Sequence, residues 1–358
     1  MISDVKQFDR IISRNSDQVS HILKGRKFKK QEITRATLIK PKGLGLEIIL
    51  GDGSVYPLDN NAIQSMLQLL NMSCNADFIK SSFNVANENV RLLNKVIRNY
   101  YDLRFQLKLT KTGKVSKINK LYARPVNDFF SEKAHGIDEY DVRHITTGAY
   151  QPITDQDVKK KAERLFDLRF HEASITKYGT KLRYFSDNAV EIEIEGREIL
   201  LGIGFINSEF GRRSLGMSLF EADCECANQF ITSKQKFSES IPHRIKDELL
   251  LNKRIKEAVR GLEGKLSEYG KLLKNSNDIP LKINKIGDIM DDKARVNQKV
   301  KALPKYIKEL VVDTFEQENL GMTNFGLRSA MTRVVKDNRE LEEHIILTEA
   351  IESLVLLN

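Results

Sequence analysis

Apolar positions along this chain change period several times, and each change predicts a different element. Leu103, Phe105, Leu107 and Leu109 alternate with Arg104, Gln106, Lys108 and Thr110, the two-residue period of a strand with one buried face. "KTGK" predicts a turn. "VSKINKLY" reads as the returning strand, with Val115, Ile118 and Leu121 out of strict alternation, so a bulge is expected. Upstream, "LGLEIIL" and "GDGSVYPL" read as strand, glycine turn and strand. Ala62, Ile63, Met66, Leu67 and Leu70 then recur at helical spacing behind Asp59, a capping residue, and Val90, Leu93, Val96, Ile97 and Tyr100 do the same.

Thr154 opens a capped helix that reaches Phe166. After it, "LRFHEASI", "AVEIEIE" and "EILLGIGFI" read as strands, the second and third joined at Gly196 and Arg197, and the glycines of the third predict close backbone packing. No regular strand–helix alternation appears, so the doubly wound class is excluded. The expected class is α+β: a mostly antiparallel sheet core with packed helices, followed by an α-helical C-terminal region. In that last region Ile255, Val259, Leu262, Leu266, Tyr269 and Leu273 form a heptad-like seam. Packing against the later helices, around residues 307–315 and 341–356, is the expected use of the seam; a homo-oligomer is the alternative.

The expected organisation is a basic N-terminal arm (1–42), an α+β core (43–240) and the helical region (241–358). The arm begins amphipathically, with Val5, Phe8, Ile11 and Ile12, and continues as "KGRKFKKQE", a segment expected to depend on a partner for order.

Charge sharpens this picture because it is segregated. The formal net charge is +9, yet residues 24–42 carry a local +7 and residues 91–124 a local +9, leaving the remainder at −7. Concentrated positive charge is what a phosphate backbone attracts, although surface lysines also serve solubility. Three cysteines, with no paired framework, fit a reducing compartment. "MISDVKQFDR" has no apolar stretch of the secretory kind and no run of eighteen apolar residues occurs, so the host cytoplasm, without membrane partnership, is the expected location.

Within the second basic segment, Tyr100, Tyr101, Phe105 and Tyr122 interleave with Arg98, Arg104, Lys108, Lys111, Lys114, Lys117, Lys120 and Arg124. Cations track a backbone and aromatic rings stack bases, the pairing that suits single-stranded nucleic acid. Phe105 is expected in the core. A second candidate is "INSEFGRRSLGMSLFEADCECANQF", residues 206–230. Cys224 and Cys226 lack a second ligand pair, so no metal is expected there; they read as small thiols beneath a sheet. Glu209, Arg212 and Arg213 read as a hairpin tip around Gly211, either contacting phosphate or solvated with an internal Glu–Arg pair.

The histidines lack metal-ligand spacing, and neither a phosphate-binding P-loop nor a nucleophile elbow is present. Asp138, Glu139 and Asp141 have no acidic or lysine partner nearby in sequence and read as a solvated acidic loop rather than a two-metal nuclease site. No catalytic residue and no cofactor is expected.

Several of these segments together resemble an uncharacterised phage- and plasmid-encoded protein family. They are "YPLDNNAIQSMLQLLNMS", "LLNKVIRNYYDLRFQLKLTKTGKVSKINKLYARPVNDFF", "GFINSEFGRRSLGMSLFEADCECANQF", the histidine of "IPHRIK" and a long helix, with an echo in "TNFGLRSAMTRVV". Gln229 stands where the family usually has glycine. The resemblance implies a mobile-element origin and a common fold, and supplies no activity or catalytic residues. The function expected on all these grounds is non-enzymatic binding or annealing of single-stranded DNA, through Arg98, Tyr101, Arg104, Lys108, Lys111, Lys114, Lys117, Lys120, Arg124, Arg212 and Arg213. The alternative is a structural or regulatory phage protein that docks on a host or virion protein through its basic surface.

Overall fold

A computed structural model of the chain describes residues 10–34, 36, 37–42, 45–70, 87–103, 108–109, 115–116, 120–136, 138–186, 190–194, 196–210, 214–223, 229–231, 237–291, 298–337, 347, 350, 351 and 354. The chain opens with β1 (Arg10–Ser13) and α1 (Ser16–Gly25), whose Asn15 caps the amides of Asp17 and Gln18. Next come β2 (Lys27–Phe28), β3 (Gln31–Glu32), β4 (Leu38–Lys42), β5 (Gly45–Ile49) and β6 (Val55–Leu58). Two helices follow, α2 (Asn60–Leu69), capped by Asp59 as expected, and α3 (Asn87–Leu103). Of the predicted basic hairpin, β7 (Lys108–Leu109) and β8 (Val115–Ser116) pair antiparallel, whereas Leu103, expected to open its first strand, ends α3, and Leu121 and Tyr122, expected to close its second, belong to the strand that follows.

The middle of the chain holds β9 (Leu121–Asn127), α4 (Phe129–His135), β10 (Asp141–Thr147) and α5 (Asp155–Leu165), the last capped by the Thr154 side chain as expected. Six strands come next: β11 (Arg169–Thr176), β12 (Gly179–Phe185), β13 (Val190–Ile194), β14 (Arg197–Asn207), β15 (Leu215–Asp223) and β16 (Gln229–Ile231). β17 (Ser238–Ile241) precedes the helices α6 (Glu248–Glu263), α7 (Leu266–Asn277), α8 (Gln298–Lys301), α9 (Lys305–Gln317) and α10 (Asn324–Asp337).

These elements form the expected α+β architecture, with two separate main sheets. The larger runs β1-β11-β12-β14-β15-β16, with β13 added on β14 and β17 on β15. Its inner face, including Leu182, Ile203, Phe205, Met217 and Leu219, packs against Val19 and Leu23 of α1, Val158 and Ala162 of α5, and the seam of α6 and α7. Gly202 is required here, since a Cβ would lie 2.4 Å from the Tyr184 carbonyl and 2.5 Å from the Phe220 ring.

The smaller sheet runs β2-β9-β10-β6-β5-β4, with β3 also on β9, and β10 is parallel to β6 at Val142 and Leu58. Flat, six strands would span about 24 Å, whereas the chain from Ile33 to Leu38 reaches at most about 18 Å. The sheet is therefore rolled, and the turn closed by the Thr37 amide on the Thr34 carbonyl (3.1 Å) carries the chain from one edge strand to the other. Ile33, Ile39, Ile48, Ile63, Met66, Leu93, Ile97 and Ile145 fill this second core under α2 and α3.

Three expectations need correction. The described part of the N-terminal arm is not a separate appendage: β1 pairs with β11 of the large sheet, β2 and β3 pair with β9, and β4 pairs with β5. The seam Ile255–Leu273 is buried, but α6 and α7 pack chiefly on β13, β14, β15 and β17, with the helix broken at Gly264. The later helices enclose a core of their own, with Ile307, Val311, Phe315, Leu327 and Met331. Finally, the expected acidic loop ends in a buried strand, because Asp141 begins β10 and pairs with Arg143.

Candidate nucleic-acid interface

Helix α3 turns Val90, Leu93 and Ile97 inward, which leaves Arg91, Lys95 and Arg98 exposed at i, i+4 and i+7, one row along its outer face. The helix is fixed to strand β4 by Asn94. The Asn94 side-chain oxygen accepts from the Ile39 amide (2.7 Å) and its side-chain amide donates to the Ile39 carbonyl (2.9 Å), so a side chain supplies both bonds that this edge strand lacks at Ile39. Lys40 and Lys42, on the same strand, are exposed, and Lys42 lies 3.5 Å from Glu47. The two basic segments of the sequence thus meet at α3 and β4.

They meet again at the other edge. Residues 27–32 run antiparallel to β9 in one unbroken register, Lys27 opposite Asn127 and Glu32 opposite Tyr122; the ladder is interrupted only where Pro125 has no amide to donate. Here much of the charge is used internally. Lys27 pairs with Asp138 (3.2 Å), Lys120 with Glu32 (2.8 Å), and the ammonium groups of Lys29 and Lys30 lie over the rings of Tyr140 (4.0 Å) and Tyr122 (4.2 Å).

The residues singled out in the sequence therefore have different surroundings. Arg98 is exposed in the α3 row. The backbone of Tyr101 closes α3, and that of Lys108 lies in β7. Lys120 is exposed but paired. Arg124 departs from the expectation of a solvent-facing contact: it is buried, donates to Thr146 (3.0 Å) and stacks on Tyr150 (5.1 Å). Arg104, Lys111, Lys114, Lys117, Arg212, Arg213, Cys224 and Cys226 lie outside the described residues. Lys40, Lys42, Arg91 and Lys95 were not singled out, although the spacing of the two α3 residues from Arg98 was a signal for them.

A second cluster was not foreseen at all. Between the two sheets, Arg26 reaches Asp155 (2.6 Å), Glu209 (3.0 Å) and Asp128 (3.6 Å), all buried. Arg143 meets both oxygens of Asp128 (2.6 and 2.9 Å) and one of Asp141 (2.9 Å). Lys177 extends the chain of charges to Asp141 (3.2 Å) and Asp59 (2.7 Å). Burial pushes the Asp128 carboxyl up, but Arg143 and Arg26 outweigh it and hold the group below the usual carboxylate range. Because these carboxylates are turned onto guanidinium groups, the cluster joins the two sheets rather than presenting acids to a substrate.

Glu209 revises the reading of its hairpin. Strands β14 and β15 do form the hairpin, but Glu209 is drawn inward to Arg26 rather than standing in a solvated tip. Beside it, the Tyr150 hydroxyl donates to the Glu209 carbonyl (2.7 Å), and its ring stacks on His243 (5.1 Å). His243 Nδ1 accepts from the Ile153 amide (3.0 Å), and burial lowers the imidazole to about 4, so it stays neutral. Asn207 donates to the Ile153 carbonyl (2.7 Å) and to Asp155 (2.7 Å). The segment between the sheets is thereby pinned by the residues of "INSE" and "IPH".

Burial, then the neighbouring Asp155 charge, pushes Glu209 up to about 8 despite Arg26. A carboxyl whose folded pKa is raised contributes stability that is complete below its unfolded value and is lost as pH rises through the folded one. Urea melts should therefore show stability falling from pH 5 to pH 8, and Glu209→Gln should flatten this decline by on the order of 2 kcal/mol. An identical slope in both proteins would show that Glu209 titrates normally.

Comparison with family models, with curated proteins and with solved structures gives no match. Among the described residues, no three His, Cys, Asp or Glu side chains are grouped to hold a metal ion, and no helix is long and apolar enough to cross a membrane.

Proposed function

We propose that this protein is a non-enzymatic, phage-type nucleic-acid-binding protein that holds single-stranded DNA by its phosphates, with α3 and β4 as the principal contact. The observation that carries this reading is the Asn94–Ile39 clamp, which ties the helix bearing the exposed row Arg91, Lys95 and Arg98 to the strand bearing the exposed Lys40 and Lys42. Charges drawn from separate parts of the chain and mounted on a helix and a strand track a backbone without reading sequence.

The test is binding to single-stranded DNA, duplex DNA and RNA across a range of salt. Affinity for the preferred nucleic acid should fall linearly on logarithmic axes, with a slope of about −0.7 per phosphate contacted for a single strand. No binding at low salt would remove the proposal, and metal-dependent cleavage would replace it with a nuclease. A second reading, docking on a partner protein, draws on Tyr306 and Leu310, large apolar side chains exposed one turn apart on α9.

A further inference from the structure

We infer that Phe28 is a base-stacking platform, a deepening of the nucleic-acid reading that rests on it. Phe28 belongs to the edge strand β2, and its side chain is 43% exposed although the ring is large and apolar. A lone exposed phenylalanine is ordinary on a protein surface. This one differs in what stands behind and beside it.

Behind it is Phe210, almost wholly buried, with ring centroids 5.8 Å apart. The guanidinium groups of Arg26 and Arg143 lie 5.9 and 5.3 Å from the Phe210 ring, and both are held by the buried carboxylates between the sheets. The exposed ring thus leans, at 43°, on a buried and fixed ring, and loses little freedom when a second ring covers it. Beside it is Lys30. In the register of residues 27–32 against β9, Phe28 and Lys30 project to the same face, about 7 Å apart along the strand. The exposed Lys30 ammonium lies over Tyr122, which is on that face as well. An exposed ring and an exposed cation on one face of an edge strand suit the bases and phosphates of an extended strand, so the substrate class is a single strand with unpaired bases.

The chain contains no tryptophan, so Phe28→Trp introduces a single reporter. Its emission should be quenched by an oligothymidylate and left unchanged by an abasic deoxyribose-phosphate oligomer of equal length. Phe28→Ala and the more conservative Phe28→Leu should both weaken oligothymidylate binding, the alanine by about five- to a hundredfold, with abasic binding unaltered and melting curves confirming the fold. If neither variant changes the preference for base-bearing over abasic strands while the parent binds both, stacking at Phe28 is overturned and phosphate binding stands. If the parent binds neither oligomer, the nucleic-acid reading fails and takes this inference with it.

Discussion

Arg26→Ala is expected to destabilise the protein by about 3–5 kcal/mol, measured by urea unfolding at neutral pH. The size follows from what is left behind. Asp155 is fully buried and Glu209 nearly so, and both have Arg26 as their cation. Removing it leaves the Asp155 charge without its cation in a medium that does not solvate it, which is more costly than the intact pair was favourable, while Glu209, raised to about 8, is largely protonated at this pH and adds less. Glu209→Gln in the same background should change this loss little at neutral pH, because that carboxyl is already largely protonated there; the double-mutant cycle measures the coupling directly. Arg143→Ala should be similarly severe, since Asp128 and Asp141 both rely on it. A loss below about 1 kcal/mol for Arg26→Ala would mean that the cluster behaves as a solvated surface pair.

That cluster shows where reading the sequence stops. The period of apolar residues was enough to locate α2, α3 and the strands β11, β13 and β14, and the Thr154 cap located α5, whereas β12 gave no such signal. Strands β9 and β10 gave no such pattern. They are buried yet carry Arg124, Asn127, Asp141 and Arg143, polar groups tolerated only because partners distant in sequence satisfy them. Arg26 and Glu209 meet across 183 positions. A turn composed of Asn, Ser, Glu and Gly reads as exposed, and nothing local reveals that a guanidinium will draw its glutamate inward. The heptad-like seam was legible, but its partner was not: an apolar stripe specifies that something covers it and leaves open whether sheet or helix does so.

The candidate interface was legible in a similar, partial way. Segregated charge marked two segments, and Arg91, Lys95 and Arg98 stand at helical spacing in plain view. Their approach to β4 depends on one asparagine and one strand edge, 55 residues apart, a contact that no local pattern encodes. Conversely, Arg124 belongs to a basic run and still serves the interior, because alternation in β9 turns it toward Thr146 and Tyr150.

Replacing Arg91, Lys95 and Arg98 together with alanine is expected to lower the steepness of the salt dependence by about 2 on logarithmic axes, three phosphate contacts at about 0.7 each. Over a fourfold rise in salt, the variant should then lose affinity for single-stranded DNA roughly 15- to 20-fold less steeply than the parent, starting from a weaker value at low salt. Stability should be nearly unchanged, because these side chains are exposed while Val90, Leu93 and Ile97 on the inner face are retained. The informative control removes equal charge elsewhere. Arg254, Lys256 and Arg260 are exposed on α6, a helix that covers the other sheet, and alanine at all three lowers the net charge by the same amount. If position matters, the α6 variant keeps the parent's slope; if only the overall field of a basic protein attracts the strand, both variants shift alike and the α3–β4 surface has no special part in binding.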